Sequence, residues 1–155
     1  MRHETAYVLL CTFVSVVAVS SPCPPGFVEH KKSCYWFSKI KANFAEARSY
    51  CQYFGSHLAR VTSRDEDDFV RGHATIHGKA ATYWLGATDL NVEGTWLWEG
   101  QQAMDYSNWS TGQPDNYGGG EHCLDIKQSY GNYLWNDAPC TSHAANFICE
   151  KGVKA

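Results

Sequence analysis

Six cysteines constrain the fold of this 155-residue chain more than any other feature of its sequence. A seventh, Cys11, lies in an apolar N-terminal stretch that we predict to be removed. The other six are Cys23, Cys34, Cys51, Cys123, Cys140 and Cys149. An even set in a secreted chain predicts disulfides, in any of fifteen pairings. Zinc binding is the competing interpretation, but the sequence has neither a Cys-x-x-Cys pair nor a His-Glu-x-x-His helix, so disulfides are favoured.

The first twenty residues have the pattern of a secretory signal peptide. Arg2 and His3 precede an apolar run over residues 6–19, and Ala18-Val19-Ser20 fits the small-residue cleavage pattern. A membrane anchor is the alternative interpretation, but the run is too short to span a bilayer. We therefore predict a signal peptide over residues 1–20 and a secreted, extracellular mature chain over residues 21–155 with no membrane span.

The composition fits a single domain without nucleic-acid or catalytic function. A length of 155 residues suits one domain with a core of its own. The net charge of −3, with no basic stripe, argues against nucleic acid as a partner. The sequence lacks the Gly-x-Ser-x-Gly and His-Glu-x-x-His motifs, and its histidines are scattered. We expect a protein that is not an enzyme.

Two segments in the first half of the chain predict helices. Asn43 and Glu46 have the spacing of a capping box, and Gly55 is placed to end the helix. The apolar residues between them recur at helical spacing and are Phe44, Ala47, Cys51 and Phe54. A second capping box, Ser63 with Glu66, predicts a helix that ends near Gly78. Its inward residues are Phe69, Val70 and Ala74.

The second predicted helix opens on an acidic run over residues 65–68. Such a run is open to interpretation as a metal site. Acidic side chains in the first turn of a helix are, however, explained by the helix dipole. We favour that interpretation.

Short aromatic and aliphatic runs predict strands around Phe27 and over residues 34–37, 83–86, 95–98, 123–126, 133–135 and 147–149. Between the strands predicted at 95–98 and 123–126, residues 100–120 are rich in Gly, Ser, Asn and Gln. A loop of this length within a compact domain is usually functional or disordered. The ligand-type side chains within and after it favour function.

Hard oxygen donors are concentrated in and after this loop. Three carboxylates and two amides stand there: Gln113, Asp115, Glu121, Asn136 and Asp137. Residues 89–137 contain eight acidic residues and one base, a net of −7, whereas residues 21–88 have a net charge of +3. Calcium takes about six to eight oxygen ligands in flexible geometry. The pattern therefore predicts a calcium site.

Six motifs in a fixed order resemble the C-type lectin domain family. They are Trp84-Leu85-Gly86, Asn108-Trp109, Gln113-Pro114-Asp115, Glu121-His122-Cys123, Trp135-Asn136-Asp137 and Phe147-Ile148-Cys149-Glu150. The likeness runs over residues 23–150, and the order of six motifs makes it specific where a lone Gln-Pro-Asp would be weak. Within the family, residues 34–38, 83–87, 94–100 and 109–123 resemble the lectins of mollusc shell matrix.

This resemblance implies an α+β fold of the C-type lectin type. Two helices would pack on small antiparallel sheets, with a long loop held by calcium. The implied disulfides are Cys23–Cys34, Cys51–Cys149 and Cys123–Cys140. We therefore expect one C-type lectin domain over residues 21–155, with its core at residues 23–150.

The resemblance also assigns the oxygen donors to a sugar site. In the family, calcium is held by the residues that correspond to Gln113, Asp115, Glu121, Asn136 and Asp137, after a cis peptide bond before Pro114. Two neighbouring sugar hydroxyls complete the coordination and contact Gln113, Asp115, Glu121 and Asn136. Relatives with Gln-Pro-Asp favour galactose, whereas Glu-Pro-Asn accompanies mannose-like sugars. Tyr117 stands where a ring could stack on galactose; the alternative is a solvent-exposed loop tyrosine.

Two further sites are less well defined. The family's second calcium implies Asp89, Glu93 and Asn116 as ligands. Asn116 and His122 stand where strong sites use carboxylates, and a histidine nitrogen is a poor calcium ligand, so occupancy stays open. Asn108-Trp109-Ser110 is a glycosylation sequon, although Trp109 is expected in the core, where it would hinder modification.

The predicted function is therefore that of a secreted, calcium-dependent, galactose-preferring lectin of the calcified shell matrix. Its expected partners are galactose-type glycans, with mannose or glucose as weaker candidates, and chitin or a calcium carbonate surface. Promotion of calcium carbonate nucleation or growth would follow. The alternative is an innate-immune pattern-recognition lectin with no mineral role, because both functions use the same site.

Overall fold

The computed structural model describes residues 22–153, with two α-helices and nine strands. The helices are α1, Phe44–Tyr53, and α2, Arg64–His73, which continues into a π-helical turn, Ala74–Gly78. The first five strands are β1 (Val28–His30), β2 (Ser33–Phe37), β3 (His57–Leu58), β4 (Thr82–Thr88) and β5 (Leu97–Trp98). The others are β6 (Gln102–Ala103), β7 (Cys123–Ser129), β8 (Asn132–Ala138) and β9 (Asn146–Gly152). The predicted signal peptide, with Cys11, lies outside the described residues.

Helix α1 begins with the predicted capping box. The Asn43 side chain accepts a 3.0 Å hydrogen bond from the Glu46 backbone N–H, and the Glu46 carboxylate accepts one of 3.0 Å from the Asn43 N–H. The helix ends just before Phe54 and Gly55, whose φ of +63° suits a glycine. Phe54 shares the helical spacing of the apolar residues of α1 but is 44% exposed, because it lies past the helix end, where its ring packs at a tilt against Trp36.

Helix α2 has only half of its predicted capping box. Ser63 Oγ accepts a 3.3 Å hydrogen bond from the Glu66 N–H. The Glu66 carboxylate does not return to Ser63 but accepts from the Thr62 N–H at 2.8 Å and from the Tyr35 hydroxyl. The buried Tyr35 hydroxyl requires an acceptor, and that demand, invisible in the local pattern, redirects Glu66.

Strand β9 connects the two parts of the sheet. It pairs antiparallel with β2 and β3, and parallel with β4 through Tyr83–Asn146 and Trp84–Phe147. Strand β4 also pairs antiparallel with β5 and β7, and β7 forms a long hairpin with β8. The expected arrangement of two helices with small sheets is therefore present, except that the pairing of β4 with β9 is parallel rather than antiparallel.

Three disulfides join these elements in the pairing that the resemblance implies: Cys23–Cys34, Cys51–Cys149 and Cys123–Cys140. The second ties α1 to β9 across 98 residues of sequence. Closing a loop of that length stabilises the fold by about 4–5 kcal/mol in the chain-entropy model. The third ties the start of β7 to the segment after β8, so it clamps the hairpin near its open end.

Aromatic side chains dominate the core beneath this hairpin. Trp135, on β8, is fully buried, and three rings approach it edge-on with centroids 5.8 Å away: Trp98, Tyr106 and Trp109. Edge-to-face geometry of this kind is favourable for aromatic pairs. Asn136, the next residue on β8, therefore follows a side chain that is tightly packed in the core. Across residues 22–153, no helix combines the length and the hydropathy needed to cross a bilayer.

Candidate functional site

Three carboxylates converge where the long loop meets strand β8. Asp115, Glu121 and Asp137 each present an oxygen within 4.8 Å of the others, although up to 22 residues of sequence separate them. Asp115 is exposed, Glu121 is half-buried, and Asp137 is buried beneath them. Like charges this close repel one another unless a cation or protons compensate them. The sequence predicted all three as calcium ligands, and the structure brings them together.

The buried Asp137 organises the loop through its backbone. Its carboxylate accepts hydrogen bonds from the Asp115 N–H at 3.2 Å and from the Asn116 N–H at 2.7 Å. These donors follow the cis peptide bond between Gln113 and Pro114. The loop is therefore tied to β8 immediately beyond the Gln-Pro-Asp motif, and the lone pairs that remain on the Asp137 oxygens are available to an ion.

The two predicted amide ligands lie at the edge of this carboxylate cluster. Gln113 Oε1 accepts a 3.2 Å hydrogen bond from the Asp115 N–H, so the amide oxygen lies beside the loop backbone. Asn136 donates from Nδ2 to Asp125 Oδ1 at 3.1 Å and to the Asp137 carbonyl oxygen. Because both bonds use the nitrogen, Oδ1 is the atom that Asn136 has left to offer a cation.

The electrostatics of the cluster favour a positively charged ligand. Burial raises the pKa of the Glu121 carboxyl above its ordinary value, and the negative charges of Asp137 and Asp115 raise it further. A hydrogen bond from the Tyr117 N–H, 3.1 Å from Glu121 Oε2, opposes this rise. A divalent cation would remove the repulsion, and the hard oxygen donors present match calcium. These residues therefore fit the ion.

Tyr117 contacts the cluster through its backbone N–H, which donates to Glu121. It begins a single 3₁₀ turn, Tyr117–Gly119, and its side chain is 80% exposed. An exposed aromatic ring beside a polar cluster is accessible to a ligand. The structure therefore leaves the predicted stacking role geometrically open.

Asn116 links this cluster to a second one. It adopts a left-handed conformation with φ of 43°, which asparagine tolerates better than most residues. Its Oδ1 accepts a 3.0 Å hydrogen bond from the Glu121 N–H, while its Nδ2 donates to Glu93 Oε2 at 2.7 Å. Movement of Asn116 would therefore disturb both clusters.

The second cluster consists of Asp89, Glu93 and His122, whose ligand atoms lie within 4.8 Å of one another. Asp89 is buried, and its Oδ2 accepts a 2.8 Å hydrogen bond from the Gly94 N–H. His122 Nδ1 lies 3.0 Å from Asp89 Oδ1 and 3.5 Å from Glu93 Oε2. Asn116, a predicted calcium ligand here, presents its N–H group to Glu93 rather than an oxygen. This set of donors does not fit an all-oxygen calcium site.

Two buried carboxylates with clear roles were not predicted. Asp125 is 1% exposed; it holds Asn136 and lies 3.4 Å from His143 Nε2, an ion-pair distance rather than an aligned hydrogen bond. Burial raises the pKa of the Asp125 carboxyl, and His143 and Asn136 oppose the rise. An acidic residue between Leu124 and Ile126 fits the alternation of a half-exposed strand, so the sequence carried no signal that Asp125 is buried.

Asp67 is the other buried carboxylate. It accepts hydrogen bonds from Trp135, Asn108 and Arg71, so the acidic run does more than complement a helix dipole. Asn108 Nδ2, the atom that would carry a glycan, donates to Asp67 Oδ2 at 2.8 Å. A glycan at the sequon would compete with this bond. Glycosylation of Asn108 stays a prediction.

Comparison with known proteins identifies relatives of this chain. The family model described as "Lectin C-type domain" matches residues 40–151. The chain is 60% identical to perlucin of Haliotis laevigata over 83% of each chain, and 36% identical to a perlucin-like protein of Mytilus galloprovincialis over 82% of this chain and 81% of that one. Five further curated relatives are longer, and the chain spans 40–45% of their length.

A solved structure shares the fold. The carbohydrate-recognition domain of the mouse scavenger receptor C-type lectin superposes with a TM-score of 0.76 at 38% sequence identity. The match covers 86% of this chain and 98% of that domain. At 38% identity, the two proteins are similar in sequence as well as in fold.

Proposed function

Because the chain belongs to the C-type lectin domain family, whose members bind carbohydrate and are not enzymes, we propose that it is a secreted, calcium-dependent lectin that prefers galactose. The observation that carries this proposal is the convergence of Asp115, Glu121 and Asp137 within 4.8 Å. The predicted ligands Gln113 and Asn136 lie beside them. Five side chains from two segments would thus hold one calcium ion.

A bound calcium ion would supply open coordination positions to two neighbouring hydroxyls of a sugar ring. The chain's own residues would orient that ring. Carboxylates of Asp115 and Glu121 accept hydroxyl protons, whereas the Gln113 amide donates through nitrogen. Asn136 would offer Oδ1 to the ion, because its two N–H groups already donate to Asp125 and to the Asp137 carbonyl oxygen. Asp125 supports this role, since its contact with Asn136 Nδ2 fixes which end of that amide faces the ion.

The preference for galactose rests on the order of residues around Pro114. Gln113 precedes the proline and Asp115 follows it, so a donor and an acceptor stand on defined sides of the site. A site built to pair with hydroxyls penalises a sugar whose hydroxyls point the other way, because polar groups are then left unpaired. The exposed Tyr117 ring supports the preference by offering an apolar face to galactose.

A role in the calcified shell matrix is supported by the 60% identity to perlucin and by the acidic segment over residues 89–137. Acidic side chains attract the calcium ions of a carbonate surface, and glycans or chitin of an organic scaffold are compatible partners for the same domain. A protein that attracts calcium through its acidic surface and also binds the scaffold would promote calcium carbonate growth. Defence against microbes through surface glycans is the second candidate, because the same site serves it.

The test is retention of the purified protein on immobilised galactose and mannose, with calcium or with EDTA. We expect calcium-dependent retention that is stronger on galactose, at calcium concentrations of roughly 10⁻⁴–10⁻³ M, the range of extracellular modules. Asp137→Asn should abolish it. Asp105→Asn is the matched control, because it removes one charge from the same acidic segment at an exposed position outside the cluster. Retention in excess EDTA would refute the mechanism.

The mineral role needs a separate measurement. Adsorption to calcite or aragonite is compared with that of a control protein of similar net charge, at rising salt. Electrostatic adsorption should weaken as salt screens the surface charges. Adsorption equal to that of the control protein would leave the lectin function without the shell function.

A further inference from the structure

The cluster of Asp89, Glu93 and His122 lies outside the sugar site and has its own supporting structure. Asp89 follows the last residue of β4, Glu93 lies in the turn beyond it, and His122 directly precedes β7. The Asp89 side chain is 1% exposed and fixed by the Gly94 N–H, whereas His122 and Glu93 are 28% and 58% exposed. The cluster is thus anchored at one side and open to solvent at the other.

The donor atoms of this cluster are mixed. Two are carboxylate oxygens, and the third is the Nδ1 nitrogen of His122, which points at both carboxylates. Imidazole nitrogen is a preferred ligand for zinc and related transition metals, whereas calcium takes oxygen. The Asn116 amide does not supply a further oxygen ligand. Its Nδ2 donates to Glu93, and its Oδ1 accepts a hydrogen bond from the Glu121 N–H.

We propose that Asp89, Glu93 and His122 form a zinc site, in place of the second calcium site that the fold would otherwise provide. His122 Nδ1 lies 3.0 and 3.5 Å from the two carboxylate oxygens. Bonds of about 2.0–2.1 Å in a tetrahedral zinc site place ligand atoms about 3.3 Å apart, close to both of these distances. The two carboxylate oxygens lie within 4.8 Å of each other and would draw together on a shared ion. The exposed side of Glu93 leaves the fourth position to water.

Zinc at this position would join three segments of the chain. The ligands come from the end of β4, the turn after it and the start of β7. Glu93 also accepts the hydrogen bond from Asn116, a residue of the long loop that is itself bonded to Asp137 and Glu121. The metal would therefore restrict the base of that loop without touching the sugar site itself.

The experiment is a calorimetric titration of the purified protein, without a histidine tag, with Zn²⁺ in the presence of excess calcium. We expect one zinc ion per chain that calcium does not displace. His122→Ala should weaken zinc binding at least about tenfold, since loss of a ligand costs no less than loss of its supporting contacts. Cobalt added in place of zinc should give the visible absorption of a tetrahedral site, and His122→Ala should abolish that absorption.

Two further variants make the assignment specific. His122→Asp converts the donor set to three carboxylates, so zinc should weaken while the calcium stoichiometry rises by one. His77→Ala is the matched control, because His77 is exposed and its ring lies 4.6 Å from that of His73, and this pair of imidazoles is a competing place for zinc to bind. The control should bind zinc like the wild type.

The proposal is overturned if His122→Ala binds zinc with unchanged affinity, if His77→Ala alone loses it, or if calcium displaces zinc from the wild type. A sugar-site variant that leaves the contacts of Asn116 in place separates the two proposals. Asp115→Ala removes one sugar-site carboxylate while Asn116 keeps its bonds to Asp137 and Glu93, so it should lose sugar retention yet keep its zinc. Failure of the lectin proposal and failure of the zinc proposal are therefore distinguishable.

Discussion

The indole Nε1 of Trp135 donates a 2.8 Å hydrogen bond to Oδ1 of Asp67, and both side chains are wholly buried. The other oxygen of Asp67 accepts from Arg71 Nε at 2.7 Å and from Asn108 Nδ2 at 2.8 Å. Trp135 immediately precedes Asn136 and Asp137 on β8. Helix α2 therefore holds the strand on which the candidate sugar site is built.

Replacing Asp67 should destabilise the fold more than replacing any exposed acid in the same helix. Asp67→Ala leaves three buried or half-buried donors without their acceptor, and breaking such a buried pair costs about 3–5 kcal/mol. Asp68→Ala, next to it and 56% exposed, removes surface contacts with Arg64 and Arg71 and should cost less than about 1 kcal/mol. Urea unfolding of both variants measures the difference. Equal effects would show that Asp67 is not the anchor.

Glu121 should make the calcium-free protein less stable as pH rises. Its pKa in the folded state is raised above the ordinary value of 4.5 by burial and by neighbouring carboxylates. The protonated form therefore contributes stability that is present below pH 4.5 and is lost as pH rises through the raised pKa. Thermal unfolding in EDTA across this range should show the loss in the wild type and a smaller one in Glu121→Gln.

Calcium should reverse this dependence. Binding requires ionised carboxylates, so protons compete with the ion and affinity should fall on acidification. Because the pKa of Glu121 is raised, the fall should begin above pH 4.5. Calcium titration at several pH values measures it. A calcium affinity that stays constant down to pH 4.5 would contradict the assignment of Glu121 as a ligand.

Gly86 should tolerate no side chain, although its backbone is ordinary. A Cβ there would lie 2.7 Å from the Leu58 carbonyl oxygen, where β4 passes close to the chain around β3. Gly86→Ala must push these segments apart, at a cost of about 1–3 kcal/mol. Gly72→Ala, in α2 with nothing within 4 Å, should instead stabilise by about 0.5–1 kcal/mol. If this packing is correct, the melting temperature should fall in Gly86→Ala and rise in Gly72→Ala.

Sugar choice should follow the two residues around Pro114. Exchanging Gln113→Glu together with Asp115→Asn keeps three carboxylates and two amides, so calcium should still bind. The hydrogen bond from the backbone N–H of residue 115 to the side chain of residue 113 can also persist, since Glu offers an oxygen there. What changes is the side that accepts a hydroxyl proton, worth about 1–3 kcal/mol for each unmatched group.

We expect the sugar preference of the double variant to shift from galactose toward mannose or glucose, measured by competition between the sugars at saturating calcium. Tyr117→Ala should weaken galactose more than mannose, because only stacking on galactose uses the ring. If the double variant binds calcium and keeps the wild-type order of sugars, specificity lies elsewhere in the loop.

The local parts of this fold follow from sequence because their causes are local. The capping box of Asn43 and Glu46, the end of α1 at Gly55 and the strands of the β7–β8 hairpin depend on residues near one another in the chain. The three site carboxylates were also predictable, since donor type and family motifs both select them. Their approach to within 4.8 Å required the fold itself.

Side-chain contacts between residues far apart in the chain could not be predicted from the sequence. Glu66 leaves its capping position for Tyr35, and Asp67 finds Trp135 at a distance of 68 residues. Nothing in the acidic run separates Asp67 from its exposed neighbour Asp68. Asp125 is similar, because its contacts with Asn136 and His143 depend on strand register and on a loop beyond β8. In each case the decisive interaction is tertiary.

The packing around Trp135 gives the protein an optical probe of its own. Trp98 and Trp109 both contact Trp135, and Trp96 lies 4.9 Å from Trp109, so four indoles form one chain of touching chromophores. Transitions in rings this close couple, and the coupled near-ultraviolet dichroism depends on their mutual angles. Since Trp135 adjoins Asn136 and Asp137, a cation or sugar arriving at the site is expected to change this spectrum and the fluorescence without any label.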